Sequence, residues 1–148
     1  MPADSEVTFR PLGVRLSGAL FGGMLLVVSV GAWVLLDPKI KAVFTYGERF
    51  TTLLIYAAAY TTWYAMARSR VTATADSLIV VNGFKRRDFA WPQVIALRLN
   101  RGAPWATLDL SDGTSVPVMG IHGSDGKRAR TAVRALRQLI AERSYRTG

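Results

Sequence analysis

The sequence predicts a membrane α-helical hairpin of two transmembrane helices, followed by an α+β domain built as a small antiparallel sheet or open barrel with one C-terminal helix. Three observations carry this reading. Two long uncharged apolar runs fill most of the first 67 residues. From Arg70 the apolar period drops to two, with turn signals between the runs. From Ser124 it lengthens to 3.6.

The first run, "LSGALFGGMLLVVSVGAWVLL" over 16–36, carries no charge. At about 1.5 Å per residue it reaches roughly 31 Å, close to the hydrocarbon thickness of a bilayer. Asp37-Pro38 closes it, because the residue before proline avoids helical geometry. A cleaved secretory signal is the competing reading, but the run is long for one and no clear A-x-A site follows. The second run, "FTTLLIYAAAYTTWYAMA" over 50–67, lies between Arg49 and Arg68. Four threonines dilute it, and Trp63 and Tyr64 stand near its end, where an interfacial aromatic belt is expected. Its competing reading, a buried soluble helix, fits poorly with its length and flanking arginines. Residues 1–15 and 37–49 are then an N-terminal cytoplasmic segment and a short external connector. Gly18 and Gly22 form a G-x-x-x-G, and Ala58 with Thr62 a second small-residue pair. Both point to close helix packing, within the chain or along a homo-oligomer seam.

Lys and Arg near the span ends set the orientation. The connector has Lys39, Lys41 and Arg49, whereas Arg68 and Arg70 follow the second span at once. The expected topology places both termini in the cytoplasm and the protein in the inner or plasma membrane as a multi-pass protein.

The domain spans 68–143, with a short tail at 144–148. "RVTATA" is a first strand and "LIVV" a second, which runs into Asn82-Gly83, read as a two-residue type I′ hairpin turn. "FKRRDFAW" returns, ended by Pro92. "VIALRLN" and "WATLDL" follow, then a turn at Ser111-Asp112-Gly113 and the strand "TSVPVMGI". Pro117 requires an edge position or a bulge there. Six strands result. Ser124-Asp125 is placed to cap a helix running to about Arg143. Ala129, Ala132, Val133, Leu136, Leu139 and Ile140 share one face of it, and Lys127, Arg130, Arg134 and Arg137 another.

The net charge is +9, and residues 68–148 carry fourteen Lys/Arg against six Asp/Glu. Such an excess favours an anionic partner. With no cysteine, thiolate sites and disulfides are excluded. The one histidine, His122, makes no metal cluster. Asp109 and Asp112 form a carboxylate pair, yet Asp112 belongs to a turn and Asp109 alternates outward between two leucines. No phosphate-binding loop, no nucleophile elbow and no nucleic-acid reader motif occurs. No catalytic residue, metal site or cofactor is expected, and nucleic acid is disfavoured as a partner.

The hairpin "DSLIVVNGFKRRDFAWPQV", two further strands and a closing helix, set after two spans, resemble the bacterial pleckstrin-homology (PH)-like proteins. More narrowly, they resemble the actinobacterial low-molecular-weight protein antigen 6 type. Phe89, Trp91, Pro92, Val94 and Ile95 carry the pattern, and the likeness covers 46–143. It implies a PH-like fold, a membrane location and a lipid or protein docking module, without a defined activity. A PH-like fold has seven strands, so a first strand is expected to be merged with the end of the second span.

On this basis the expected function is a non-enzymatic, membrane-anchored docking module that binds anionic lipid headgroups or a partner protein. Arg68, Arg70, Lys85, Arg86 and Arg87 are the expected headgroup contacts. Strand alternation sends Lys85 and Arg87 to one face and Arg86 to the other, so only splaying near the hairpin tip brings them to one plane. A solvated strand edge explains the same residues equally well. The alternative function is an accessory subunit of a larger membrane complex, held through Gly18, Gly22, Ala58 and Thr62.

Overall fold

The first strand of the sheet lies ahead of the first long helix, not behind the second. In a computed structural model that describes residues 6–146, β1 (Val7–Phe9) precedes α1 (Leu12–Leu35), a short α2 (Pro38–Val43) and α3 (Tyr46–Arg68). Only then does β2 (Arg70–Ala73) begin, and it pairs antiparallel with β1, Val7 opposite Ala73 and Phe9 opposite Val71. The seventh strand is therefore supplied by the N-terminal segment, which corrects the expectation that it merges with the end of the second span. The helical pair is an insertion between two neighbouring strands. Of the expected N-terminal segment 1–15, residues 1–5 lie outside the described residues, as do residues 147–148 of the tail.

Each long helix has an identifiable start. Thr45 and Glu48 form a capping box ahead of α3, with the Glu48 N–H donating to Thr45 Oγ1 at 3.3 Å and the Thr45 N–H to the Glu48 carboxylate at 2.8 Å. Asp37 accepts from the Lys39 N–H at 2.7 Å and caps α2, which fills part of the expected connector. Ahead of α1, Pro11 offers no cap of its own. Its place is taken from far along the chain: Asp125 accepts from the N–H groups of Leu12 at 3.1 Å and Gly13 at 2.7 Å. Asp125 was expected to cap the C-terminal helix. Instead it lies in a 3-10 turn, Gly123–Asp125, before α4 (Lys127–Arg146), and its carboxylate ties that turn to α1.

β2 continues the four-stranded sheet with β3 (Ser77–Asn82) and β4 (Lys85–Ala90), in the order β1-β2-β3-β4. A second sheet holds β5 (Val94–Arg98), β6 (Trp105–Leu110) and β7 (Ser115–His122), in that order. The β3–β4 turn differs from the expected one. Asn82 pairs with Lys85, so the loop is Gly83-Phe84, and Gly83 alone has positive φ, +58°. That is the pattern of a type II′ turn, with glycine first. Asn82 stays in the strand because its side chain is engaged elsewhere. Its amide donates to the Pro117 carbonyl at 2.5 Å, and its carbonyl accepts from the Met119 N–H at 3.0 Å.

These bonds join the two sheets where β7 crosses β2 and β3. Gly120 makes the crossing possible: a Cβ there would stand 2.6 Å from the Arg70 carbonyl carbon and 2.7 Å from the Val71 nitrogen. Pro117 sits on β7, the edge strand of its sheet, as expected of a residue with no N–H to give. The core between the sheets is Val71, Leu78, Val80, Phe89, Trp91, Leu97, Leu108, Val118 and Ile121. Ala129, Val133, Leu136 and Ile140 of α4 close it, with Ala132 and Leu139 at the margin. This is the apolar face expected from the 3.6 period. At the far end of α4, Trp91 donates its indole N–H to the Ala75 carbonyl at 3.0 Å, and Arg143 stacks over the Trp91 ring.

Candidate functional site

Strand register sorts the domain into two ends. Phe9, Arg70, Val81 and Lys85 stand at the end from which the helices leave. The second sheet is oriented by Asp125, so the start of α4 belongs to that helix end as well. The β5–β6 loop joins it, since Trp105 pairs with His122 and the Gly123 N–H donates to the Pro104 carbonyl at 2.8 Å. The opposite, far end holds the β2–β3 and β6–β7 turns.

Charge follows this division. Arg10, Arg68, Arg70, Lys85, Arg101, Lys127 and Arg128 all lie on segments at the helix end. Its one carboxylate from 70–143 is Asp125, which is spent on capping α1. Asp76, Asp109, Asp112 and Glu142 belong to the far end, and Asp88 lies mid-strand on β4. The two far-end carboxylates that looked like a pair are each satisfied locally. Asp109 takes a 2.6 Å ion pair from Arg98 and a 2.7 Å bond from the Ser115 hydroxyl, and the Arg98 bond leads in holding its carboxyl below the usual range. Asp112 accepts from the Thr114 hydroxyl and N–H, which lower its carboxyl in that order.

The five cations singled out in sequence do not converge as one group. Arg68 lies over the Tyr64 ring at 5.8 Å and the Phe84 ring at 5.3 Å. This joins the last turn of α3 to the β3–β4 tip, where Phe84 is 63% exposed. The Gly83 N–H donates to Ser69 Oγ at 2.9 Å, and Gly83 stands against Ala65 of α3. The cationic hairpin is thus fastened to the end of α3 by its turn. Lys85 is beside that turn. Arg86 is directed along the strand to Asp88, at 3.3 Å, and Arg87 lies opposite Val80 on the edge strand, exposed. Arg10, Arg101 and Arg128 were missed: Arg10 and Arg101 are isolated in sequence, Arg128 follows Lys127 but lies off the helical stripe of Lys127, Arg130, Arg134 and Arg137, and only the topology brings the three to this end.

On α4, Lys127, Arg130 and Arg134 are exposed, whereas Arg137 donates to the Leu97 carbonyl at 2.8 Å and clips the helix to β5. Arg130, Arg134 and Arg137 line a shallow groove with Leu99 and Val133. Arg130 also lines a cleft of about 750 Å³ between the β5–β6 loop and the start of α4, together with Leu99, Arg101, Pro104, His122 and Ser124. Among the described residues no group of three or more His, Asp or Glu side chains is placed to hold a metal ion.

The helices meet through aromatic side chains. Trp63 donates to the Val14 carbonyl at 3.1 Å and fills the notch at Gly18, where a Cβ would fall 1.7 Å from its indole nitrogen. The Tyr60 hydroxyl donates to the Gly22 carbonyl, and the hydroxyls of Ser29 and Tyr56 are bonded to each other. Ala58 and Thr62 are exposed instead, with the Thr62 hydroxyl bonded back to the Ala58 carbonyl of its own helix. Among the described residues one helix, α1, is long and apolar enough to cross a membrane by length and composition. α3 is long enough, but its threonines, tyrosines, Glu48 and Arg49 make it less apolar.

A four-stranded sheet packed on a three-stranded one, with the C-terminal helix closing the core, calls for comparison with known families. Residues 68–139 match the family model described as the bacterial PH domain. The domain is PH-like, and PH domains are in general non-catalytic modules that bind lipids or proteins. Over 75 residues the chain is 36% identical to a protein of Mycobacterium bovis and to proteins of two strains of Mycobacterium tuberculosis, each described as uncharacterized. The match takes in 51% of this chain, and the chain spans about half the length (49%) of these curated relatives. No solved structure matches. The family match begins at Arg68, so β1 and the inserted helices lie outside it.

Proposed function

We propose that the chain is a non-enzymatic, two-span protein of the inner membrane whose PH-like domain docks on anionic lipid headgroups at the cytoplasmic face. The observation that carries this reading is the sorting of charge. The domain carries Arg10, Arg68, Arg70, Lys85, Arg101, Lys127 and Arg128 on segments at the end where the helices emerge, and most of its carboxylates elsewhere. A basic residue close to an anionic leaflet gains about 1 kcal/mol.

The helical pair supports the membrane part. Leu20, Phe21, Met24, Leu25, Leu53 and Leu54 are all more than half exposed, an apolar surface far larger than a soluble monomer sustains. α3 is the less apolar helix, but its tyrosines place their hydroxyls on α1, which is how polar groups are accommodated in lipid. Aromatic–cation clusters mark both ends of the pair: Trp33, Phe44, Tyr46 and Arg49 at one, Tyr64, Phe84 and Arg68 at the other. Pairing of β1 with β2 supports a hairpin whose two ends lie on the same side as the domain, and the Lys/Arg bias favours the cytoplasm as that side. This arrangement also suits the narrower likeness to the low-molecular-weight protein antigen 6 type.

The test uses the full-length chain in mixed-lipid bilayers, with retained lipid weighed by native mass spectrometry after mild extraction. The wild-type chain should retain anionic over zwitterionic lipid. The variant Arg68→Gln/Arg70→Gln/Lys85→Gln/Arg101→Gln should lose most of that enrichment. Equal enrichment in the two proteins would overturn the reading. A second reading, an accessory subunit of a membrane complex, draws on Gly23 and Gly31 of α1, which face open space, and on the exposed Ala58 and Thr62 of α3. It expects a stoichiometric protein partner after the same extraction.

A further inference from the structure

We propose that the cleft between the β5–β6 loop and the start of α4 seats the phosphomonoester headgroup of a membrane lipid. This rests on the membrane-docking reading and adds to it one specific site. At about 750 Å³ the cleft is within the size range of small-ligand pockets. Its floor is fixed: the Gly123 N–H is bonded to the Pro104 carbonyl, and a Cβ on Gly123 would fall 2.3 Å from the Ala103 oxygen, so the two loops are in contact there.

The chemistry of the lining selects an anion. Arg101 and Arg130 are both exposed, and among the described residues neither guanidinium has a hydrogen-bond or ion-pair partner. No carboxylate lines the cleft. His122 Nδ1 accepts from the Ser124 N–H at 3.4 Å and lies 2.8 Å from the Ser124 hydroxyl. With Nδ1 accepting from the Ser124 N–H, the ring proton is assigned to Nε2, which makes this cleft-lining imidazole a donor. Two guanidinium forks and an imidazole N–H are the donor set of a phosphate seat. Leu99 and Pro104 give an apolar wall for the glycerol end of a lipid. A phosphomonoester carries about −1.5 to −2 charges near neutral pH, which two arginines balance better than they do a diester. The cleft belongs to the helix end, because Asp125, in the turn that borders it, holds the first residues of α1. A headgroup in the leaflet around α1 is thus a neighbour of the site.

His122 is the one histidine of the chain, so its imidazole NMR signals report this cleft without ambiguity. The full-length protein would be placed in phosphatidylcholine nanodiscs and titrated with phosphatidic acid or phosphatidylglycerol, or with soluble glycerol 3-phosphate or poly-glutamate. The signals should move with phosphatidic acid at lower mole fraction than with phosphatidylglycerol. Arg101→Gln/Arg130→Gln should weaken the response by about tenfold or more. Both side chains are exposed and unpaired among the described residues, so this variant should keep the wild-type spectral dispersion, and Arg101→Lys/Arg130→Lys should retain part of the response. No movement with phosphatidic acid overturns the proposal. An equal response to glycerol 3-phosphate overturns the lipid source, and a stronger one to poly-glutamate replaces it with an acidic protein. The broader docking reading is scored separately, by the membrane depth of a label at position 84, which does not touch the cleft.

Discussion

Replacing Asp125 by alanine removes both acceptors that serve the first turn of α1. The N–H groups of Leu12 and Gly13, bonded at 3.1 and 2.7 Å, lose their partner, and Pro11 supplies no substitute. Loss of an N-terminal cap costs about 1 kcal/mol. Loss of the carboxylate from the positive end of the helix dipole costs a further ~0.5 to 1 kcal/mol. A total of about 2 kcal/mol corresponds to roughly a 30-fold rise in local opening. The assay is amide hydrogen exchange of the full-length chain in nanodiscs, followed by mass spectrometry of peptides covering residues 10–16 and 122–128. Both regions should exchange faster by about that factor, because one carboxylate ties them together, while β3 and β6 remain protected. Asp125→Asn, which keeps one acceptor, should show a smaller rise. Unchanged exchange at 10–16 in Asp125→Ala would refute the cap as the link between domain and helix.

Gly18→Leu should displace Trp63 from its notch and loosen α1 from α3 by about 1–3 kcal/mol, read as a lower detergent melting temperature and a red-shifted tryptophan emission. Gly120→Val should cost at least as much, about 3 kcal/mol, since the atoms it meets are backbone of β2; retained wild-type stability would contradict the crossing. The carboxyl of Asp109 is lowered in the folded domain by its bonds to Arg98 and Ser115. Its stabilisation is therefore present above the ordinary carboxyl value of 3.8 and is lost as pH falls through the lower folded value. Asp109→Asn should flatten that part of an acid denaturation curve.

The strands β2 to β7 and the apolar face of α4 were readable because each is a local pattern: period two between turn signals, then period 3.6. β1 was not readable. Val7–Phe9 is three residues long, and its partner strand begins more than sixty residues later. The turn at Gly83-Phe84 was read one residue early, because Asn82 carries the signature of a turn residue but is held in the strand by Pro117 and Met119. Asp125 likewise has the sequence position of a local cap, and only the fold reveals that it serves a helix 112 residues away. The Lys85-Arg86-Arg87 run stood out because it is contiguous, yet strand geometry separates its members. Arg10 and Arg101 stand singly in the sequence, Arg128 stands beside Lys127 on α4, and the fold gathers all three at one end.

The most direct test of the central claim is the depth of the helix end in the membrane. The chain has no cysteine, so Phe84→Cys and Asp112→Cys each accept one nitroxide label at a defined place. Electron paramagnetic resonance accessibility to oxygen and to a water-soluble nickel chelate would be measured for each full-length variant in anionic and in neutral nanodiscs. The account predicts headgroup depth for the label at 84 in anionic lipid, a shallower position in neutral lipid, and water exposure at 112 in both. Equal water exposure at 84 and 112 in anionic nanodiscs would contradict it.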